Sequence, residues 1–591
     1  MSIVNSLRQS TINSLSALYN QSFTEKDFQV NQTKPEFEGD YTVVLFSLIK
    51  SLKKSPEVLG NELGGHLVKN NPGFFSSYNV IKGFLNLTVT DNYWITLLQE
   101  NYTNVDFGKK EHNGKKIMVE YASPNTNKPL HLGHLRNIFL GWGIAEILKT
   151  SGYDVIKTCI VNDRGIHICK SMIAWQLFAN GATPQSTHTK GDHFVGDYYV
   201  KFNDEYKKQV EELIAKGVTK EVAEKEAPIM KATQQMLLDW EEGKPGVMDL
   251  WRKMNNWVYE GFDITYKRIG SDFDKIYYES NTYLLGKGIV QQGLEKNVFY
   301  KKKDGSVWID LTADGLDEKL VQRKDGTSVY ITQDIGLAMQ KYDEYKIDQS
   351  IYVIGNEQNY HMKVLQLICK KLGMPYADSI YHLSYGMVEL PTGKMKSREG
   401  TVVDADDLID EMINTSQKHT EELGKVKGFT EDELKDLYDT IGLGAMKFYL
   451  LRVDPKKTMV FNPEESIDLH GFTGPFIQYT YARIKSILRK TEITNFQLPA
   501  IGLLKLEKEV IVQLEQYPSI IEQAAAELNP SVIAIYIFNL AKIFNSFYAE
   551  HSISNAESED KKQLRLSIAV MVASVIKNGM GLLGAKVPER M

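Results

Sequence analysis

One stretch of the chain, residues 123–134, combines side chains and spacing suited to phosphate chemistry. It places two imidazoles, His131 and His134, on either side of Gly133. A strand-like apolar segment precedes the stretch and a helix-like segment, 135–148, follows it, so the histidines come where a strand gives way to a helix N-terminus. Such a junction attracts anions, because free backbone N–H groups and the helix dipole both point to it. The glycine lets a bulky ligand approach the backbone. The stretch therefore predicts a site that acts on a nucleoside triphosphate.

Length and composition limit the kind of protein that carries this stretch. A chain of 591 residues with 42% hydrophobic and 24% charged residues is typical of a globular protein with roughly three to five domains. No window approaches the roughly 18 continuous apolar residues of a membrane span, and the N-terminus lacks the layout of a signal peptide. We therefore expect a cytoplasmic protein that does not act at a membrane. A net charge of −6 neither indicates nor excludes nucleic-acid binding.

The cysteines argue against two kinds of structural site. Cys159, Cys169 and Cys369 are widely spaced and form no CxxC pair. Disulfides and a cysteine-based zinc site are therefore not expected.

Hydrophobic periodicity indicates how the chemistry-bearing stretch is positioned. Apolar β-rich runs alternate with helical ones between 115 and 389, which predicts a parallel, doubly wound sheet. A charged helical segment, about 187–269, interrupts this alternation and is interpreted as an insertion. The chain becomes almost wholly helical after 400, with a helix start at 404–409 that carries acid in its first turn. The strand candidates are 80–89, 117–121, 155–161, 351–354 and 384–390, and the helix candidates outside the insertion are 6–19, 41–52, 135–148, 476–490 and 531–548.

The stretch 123–134 resembles the HIGH signature of class I aminoacyl-tRNA synthetases, in the version found in the arginyl enzymes. Further matches occur in the right order along nearly the whole chain, and this ordered set is far more specific than any one of them. By resemblance, the chain is identified as a member of the arginyl-tRNA synthetase family. The matching segments are 161–163 (VND), 191–199 (GDHFVGDYY), 330–334 (YITQD), 355–361 (GNEQNYH), 382–388 (HLSYGMV), 394–400 (KMKSREG), 478–483 (QYTYAR) and 587–591 (VPERM).

The resemblance implies an α/β plus all-α multidomain chain. It implies a domain at 1–110 that binds the tRNA elbow, a Rossmann-like catalytic domain at 111–393, a KMSKS-like loop with a helical connecting region at 394–460, and an all-helical anticodon-binding domain at 461–591. It also implies activation of L-arginine with ATP and Mg²⁺, followed by transfer of arginine to the terminal 2′-hydroxyl of tRNA-Arg by a monomer. No zinc is expected, and the resemblance assigns no metal-ligating residue.

The resemblance also implies the ATP-binding residues. The family mechanism places the HIGH histidines beside the α-phosphate and adenosine, and the KMSKS lysines on the phosphates, where they stabilise charge. The fourth position of that loop, usually lysine, is Ser397 here. Either Lys128 or Lys396 takes its part, and the sequence alone leaves both open. The implied catalytic residues are His131, His134, Lys128, Lys394 and Lys396, and the implied ATP-binding residues are His131, Gly133, His134, Gly355, Met387, Val388, Lys394 and Met395.

Specificity for arginine requires an acidic side chain in the pocket, because a guanidinium is always charged and offers five donors in a planar fork. By resemblance, Glu120, Tyr330 and Asp334 contact the guanidinium, while Asn125 and Gln358 hold the α-amino end. Tyr330 and Asp334 are one helical turn apart, so both can face one pocket. The structural alternatives are a helix N-cap for Asp334 and a core aromatic for Tyr330.

Two regions carry candidate tRNA contacts. By resemblance, Phe84 stacks on a D-loop base and Asn86 hydrogen-bonds it; the alternative is a plain core strand. In the tail, a basic stripe from Arg483 to Lys490 lies among aromatic residues, a composition that suits single-stranded RNA and equally suits a packed helix with a solvated face. The tail candidates are Tyr479, Arg483 and Arg489, with Tyr481, Phe544, Phe547 and Tyr548 as further aromatics.

Two other functions are consistent with parts of the pattern. Another HIGH-bearing adenylyl transferase would lack the long helical tail or, in the cysteinyl type, would carry zinc cysteines. A non-catalytic tRNA-binding paralogue would have no need of both histidines and the lysine-bearing loop.

Overall fold

The structure is a computed structural model that describes residues 3–34, 36–391, 403–422, 424, 427–491 and 501–591. The candidate residues Lys394, Met395 and Lys396 lie outside the described residues, as does Ser397.

The N-terminal part packs helices on a four-stranded antiparallel sheet of order β1-β2-β4-β3. The predicted helix at 41–52 is wrong in its first half, where the β-branched run 42–44 forms a strand with buried Tyr41 and Val43. The predicted strand at 80–89 is a hairpin, because Lys82 and Gly83 adopt positive φ and turn the chain. The elements are α1 Ile3–Tyr19, β1 Gln29–Gln32, β2 Tyr41–Val44, α2 Phe46–Leu52, α3 Pro56–Asn70, β3 Phe75–Ile81, β4 Phe84–Val89 and α4 Asp91–Asn101.

The central part contains a five-stranded parallel sheet, as the alternation of strands and helices predicts. Its order is β12-β11-β5-β6-β7, so β5 is the middle strand and the carboxyl ends of all five strands meet at one edge. The elements are β5 Lys116–Glu120, α5 Leu132–Thr150, β6 Asp154–Val161, α6 Ile166–Phe178, α7 Pro184–Thr187, α8 Gly191–Ala215, α9 Lys220–Glu226, α10 Pro228–Glu241, α11 Pro245–Ile269, β7 Lys275–Tyr278, α12 Glu279–Thr282, α13 Lys287–Glu295, β8 Tyr300–Lys301, β9 Val307–Ile309, β10 Lys319–Gln322, α14 Tyr330–Tyr345, β11 Gln349–Gly355, α15 Asn359–Lys371, β12 Ile380–Tyr385 and β13 Val388–Glu389.

The last strand of this sheet differs from the prediction. The predicted strand 384–390 is confirmed only in part, because β12 ends at Tyr385, the chain then leaves the sheet, and 388–389 form the separate strand β13. A Cβ on Gly386 would lie 2.5 Å from the backbone carbon of Lys457, so only glycine permits this close crossing. Val388 therefore pairs with Met459, outside the five-stranded sheet.

The segment between β7 and α14 forms a small antiparallel sheet of order β10-β9-β8 that the periodicity does not indicate. It has its own apolar core, which includes Ile309, Leu311 and Val321 and continues to Ile335 of α14. The small sheet thereby supports the start of α14.

The chain after 403 is helical apart from β14, within its described residues. The predicted helices at 404–409, 476–490 and 531–548 are confirmed as parts of α16, α19 and α22. Helices α22 and α23 are long and apolar enough to cross a membrane by length and composition, but they pack on each other and on α19 and α20, as core helices of a bundle do. The elements are α16 Ala405–Glu422, α17 Glu431–Leu451, β14 Met459–Val460, α18 Pro463–Ser466, α19 Gly474–Leu488, α20 Lys505–Glu515, α21 Tyr517–Glu527, α22 Ser531–Glu550 and α23 Glu559–Leu582.

Candidate active site

The two histidines of the 123–134 stretch cap helix α5 reciprocally. His131 is the N-cap, and its Nδ1 accepts the backbone N–H of Gly133 at 3.1 Å. Nδ1 of His134 accepts the backbone N–H of His131 at 3.1 Å, and the two ring centroids are 3.8 Å apart. Because both Nδ1 atoms are acceptors, each neutral ring carries its proton on Nε2. The pair therefore offers two N–H donors at a helix N-terminus.

Burial holds both rings in the neutral form. It lowers the pKa of His131 to about 4, with a contribution from the positive charge of Lys128, and it lowers the pKa of His134 well below its usual value. Gly133 is needed locally, because a Cβ there would lie 2.9 Å from Cε1 of His131. The donors are thus fixed by the fold before any ligand arrives.

A cavity of about 450 Å³ opens beside His131. Lys128 lines it from the loop, Asp197 from α8, and Asp404 and Asp407 from the start of α16. Burial alone lowers the pKa of Lys128. The cavity therefore brings a half-buried ammonium group and several carboxylates next to the histidine pair.

The loop between β5 and α5 is held at the carboxyl edge of the sheet by a buried asparagine. Asn137 accepts the backbone N–H of Ala122 at 2.5 Å and donates to the carbonyl of Val353 at 2.7 Å and to the hydroxyl of Tyr385 at 3.2 Å. Ala122 and Ser123 both have positive φ, which is uncommon for these residues. Asn137 thus joins the exits of β5, β11 and β12. The sequence signal for it is a polar residue next to the apolar run 138–145 of the helix, and sequence reasoning missed it.

The arginine candidates Tyr330 and Asp334 lie on the first two turns of α14. Val329 is the N-cap, so Asp334 is not the cap, and Tyr330 is 71% exposed, so it is not a core aromatic. The structure contradicts both structural alternatives. Asp334 Oδ2 lies 2.6 Å from Nε2 of His361, and this contact raises the pKa of His361.

Glu120 ends β5 and is buried in an ion pair with Lys341 of α14. The ammonium of Lys341, itself fully buried, also lies 4.5 Å from the ring centroid of Tyr352. Glu120 therefore anchors α14 to the middle strand, a contact that its predicted role at the guanidinium does not include.

The remaining small-ligand candidates lie at the same edge of the sheet. Asn125 forms a bridge with Asn162, which follows β6. Gly355 ends β11, and Gln358 is exposed in the short turn after it. Met387 is exposed, and its carbonyl accepts the N–H of Met459, while Val388 is buried.

The N-terminal tRNA candidates differ in exposure. Phe84 is 37% exposed and meets Phe46 edge to face at 5.3 Å, so it is not a core residue. Asn86 is buried, accepts the hydroxyl of Thr42 at 2.6 Å and donates to Asn79 at 2.8 Å.

The predicted basic stripe of α19 is partly neutralised by the C-terminus. Lys485 pairs with Glu589 at 3.2 Å, and Arg489 donates to the carbonyl of the same residue at 2.9 Å. Arg483 stacks 4.8 Å from the ring centroid of Tyr479 and donates to Asn545 at 2.8 Å. Among the further aromatics, Tyr481, Phe544 and Phe547 are buried core residues.

Comparison with known proteins agrees with these features. Residues 96–462 match the catalytic domain of class I tRNA synthetases (R), 477–591 match the DALR anticodon binding domain, and 5–89 match the arginyl-tRNA synthetase N-terminal domain. Arginine–tRNA ligases of Bacteroides thetaiotaomicron and Flavobacterium psychrophilum are 53% and 54% identical, each over 100% of both chains. The solved arginyl-tRNA synthetase of Thermus thermophilus, 22% identical, covers 100% of both chains with a TM-score of 0.76 and shares the fold. The chain belongs to the arginyl-tRNA synthetase family.

Proposed function

We propose that this arginine–tRNA ligase forms arginyl-adenylate at the carboxyl edge of its parallel sheet, with the ATP phosphates at the start of α5 and the arginine guanidinium beside α14. The observation that carries this proposal is the reciprocal capping of α5 by His131 and His134. It leaves two neutral Nε2–H donors and a helix N-terminus beside Lys128.

Adenylate formation needs charge stabilisation more than proton transfer. The carboxylate of arginine attacks the α-phosphorus of ATP, a new P–O bond forms, and pyrophosphate leaves with the electrons of the broken P–O bond. The attacking group already carries its charge, so no general base is required. The histidine N–H groups stabilise the charge that develops on the α-phosphate oxygens.

On the ATP side, Lys128 takes the part of the lysine that Ser397 replaces. Its place on the cavity wall beside His131 supports this role for Lys128. Lys394, Met395 and Lys396 remain predictions for the phosphates, and Gly355, Met387 and Val388 remain predictions for adenosine.

Mg²⁺ enters this site with the ATP phosphates. The carboxylates of Asp197 and Asp407 on the cavity wall suit a hard cation, which would neutralise phosphate charge there. We expect no zinc, since Cys159, Cys169 and Cys369 are buried on different elements.

On the arginine side, Asp334 and Tyr330 receive the guanidinium, with Glu120 behind them, while Asn125 and Gln358 hold the α-amino group. The exposure of Asp334 and Tyr330 supports this assignment, because a ligand can reach both.

The second step transfers arginine to the terminal 2′-hydroxyl of tRNA-Arg. Phe84 and Asn86 are proposed for the D-loop, and Tyr479, Arg483 and Arg489 for the anticodon side. We expect the protein to be a cytoplasmic monomer that does not act at a membrane.

The decisive experiment is aminoacylation of tRNA-Arg with each of the twenty amino acids, paired with pyrophosphate exchange with and without tRNA. We expect product with arginine alone, and exchange that requires tRNA. Charging with a different amino acid, or tRNA binding without any charging, would contradict the proposal.

A further inference from the structure

A cluster of charged and polar side chains surrounds the start of α16. We call it the α16 clasp, and its members are Lys190, Asp192, His193, Thr265, Asp404 and Asp406. Asp406 Oδ2 accepts Lys190 Nζ at 2.7 Å and faces His193 Nε2 at 3.2 Å, while its Oδ1 accepts the hydroxyl of Thr265 at 3.1 Å. Asp404 Oδ2 faces the same His193 Nε2 at 3.3 Å. The clasp thus joins the start of α8, the C-terminal part of α11 and the start of α16.

The clasp supplies its own cation. Asp192, His193 and Asp406 lie close enough together to bind a metal ion. The ammonium of Lys190, however, already bonds Asp192 at 3.0 Å and Asp406 at 2.7 Å, and it also reaches Thr265 at 2.6 Å. The two carboxylates therefore have a positive charge between them. The geometry is that of a contact that holds α8, α11 and α16 together.

The backbone fastened by the clasp contacts the histidine pair directly. Asp404 forms an antiparallel bridge with His131. The N–H of Ala405 donates to the carbonyl of Leu130 at 3.0 Å, and the N–H of Leu132 donates to the carbonyl of Val403 at 3.3 Å. Asp404 Oδ1 also accepts the N–H of Asp406 at 2.8 Å, which fixes the first turn of α16. A displacement of this turn would therefore move the backbone on both sides of His131.

We propose that His193 and Asp406 are positioning residues for adenylate formation, which hold the start of α16 against the loop that carries His131 and Lys128. This role rests on the phosphate subsite proposed above. It gives His193 of the GDHFVGDYY segment a role, whereas the proposed function uses only Asp197 of that segment.

The charge balance makes the clasp sensitive to protonation of His193. Its ring faces Asp404 and Asp406 of the α16 start, Asp192 and Asp197 of α8, and the ammonium of Lys190, while α11 contributes the neutral Thr265. The contact with Asp406 raises the pKa of His193 above its ordinary value. Below that pKa an imidazolium offsets the excess of carboxylates, and above it one neutral N–H is shared by two of them. The clasp therefore weakens as the pH rises through the pKa of His193.

The test compares His193→Ala and His193→Gln with wild type and with His419→Gln, a control near the other end of α16. Pyrophosphate exchange is measured with tRNA-Arg present, as a function of ATP, arginine and pH. For His193→Ala we expect kcat to fall roughly 10- to 100-fold, the scale of a small misplacement of reacting groups, and the KM for ATP to rise, with the KM for arginine within about twofold of wild type.

The His193→Gln variant distinguishes a positioning role from a purely structural one, because a purely structural role would not change the pH profile of kcat. Its amide N–H can donate to one carboxylate, so we expect it to recover part of kcat. It should also lose the decline in kcat that wild type shows as the pH rises through the pKa of His193. His419→Gln should match wild type throughout.

Equal rises in the KM values for ATP and arginine, or an unchanged pH profile in His193→Gln, would overturn the role. If His193→Ala does not fold, the same comparison is made with His193→Gln and Thr265→Val. If wild type shows no arginine-dependent exchange, the proposed function fails. If wild type exchanges normally and the His193 variants match it, only the clasp fails.

Discussion

Nε2 of His361 lies 2.6 Å from Oδ2 of Asp334, joining the first turn of α15 to the second turn of α14. Both side chains remain partly exposed, so a ligand can reach the pair. The carboxylate proposed to receive the guanidinium of arginine therefore already has a partner, His361, whose charge changes with pH. We therefore predict that arginine recognition depends on pH.

Arginine affinity should improve as the pH rises through the pKa of His361. Asp334 raises that pKa, so at lower pH a charged imidazolium competes with the guanidinium for the same carboxylate. Above the pKa the imidazole is neutral and the competition weakens. The KM for arginine is measured between pH 6 and 8.5 in wild type and in His361→Gln, with the KM for ATP as the internal control. The same slope in the variant would show that His361 is not the group that titrates.

Asp334→Asn should raise the KM for arginine by about 100-fold or more, because a neutral amide leaves the guanidinium charge uncompensated. The KM for ATP should stay within about twofold of wild type. Asp343→Asn, on an exposed turn of the same helix, is the matched control and should leave both values unchanged. Equal rises for arginine and ATP would exclude Asp334 as a specificity residue.

Asn137→Ala should lower the free energy of unfolding by about 2 to 4 kcal/mol, because it leaves the N–H of Ala122 and the carbonyl of Val353 buried without their partner. Urea unfolding followed by tryptophan fluorescence measures the change. Asn61→Ala, at an exposed position of α3, should change the free energy by less than about 0.5 kcal/mol. Similar stability of the two variants would mean that the loop does not depend on Asn137.

Local sequence signals predicted the parts of the site that one chain segment determines. β5, β6 and β11 are short apolar runs rich in β-branched residues, which are typical of buried parallel strands, and the glycine between two histidines after β5 marks the start of α5. Tyr330 and Asp334 were placed one turn apart on a helix, as the structure has them.

Contacts between segments that are far apart in the sequence could not be predicted from those local signals. Asp406 meets Lys190 across 216 residues, and Glu589 meets Lys485 across more than 100, so no spacing rule connects them. β12 ends at Tyr385 because another chain segment passes within contact distance of Gly386, which the sequence does not reveal. The same holds for Lys341, whose burial beside Glu120 depends on the packing of α14 against β5.

The central claim is that ATP phosphates bind where Lys128 and the histidine pair meet, and Lys128→Ala tests it most directly. Arginine-dependent pyrophosphate exchange with tRNA-Arg present is measured for the variant and for Lys109→Ala, an exposed lysine of the preceding segment. We expect Lys128→Ala to lower kcat and raise the KM for ATP by at least about 10-fold, with the KM for arginine within about twofold of wild type. An unchanged kcat and KM for ATP, or an equal rise in the KM for arginine, would contradict the assignment of this site to ATP.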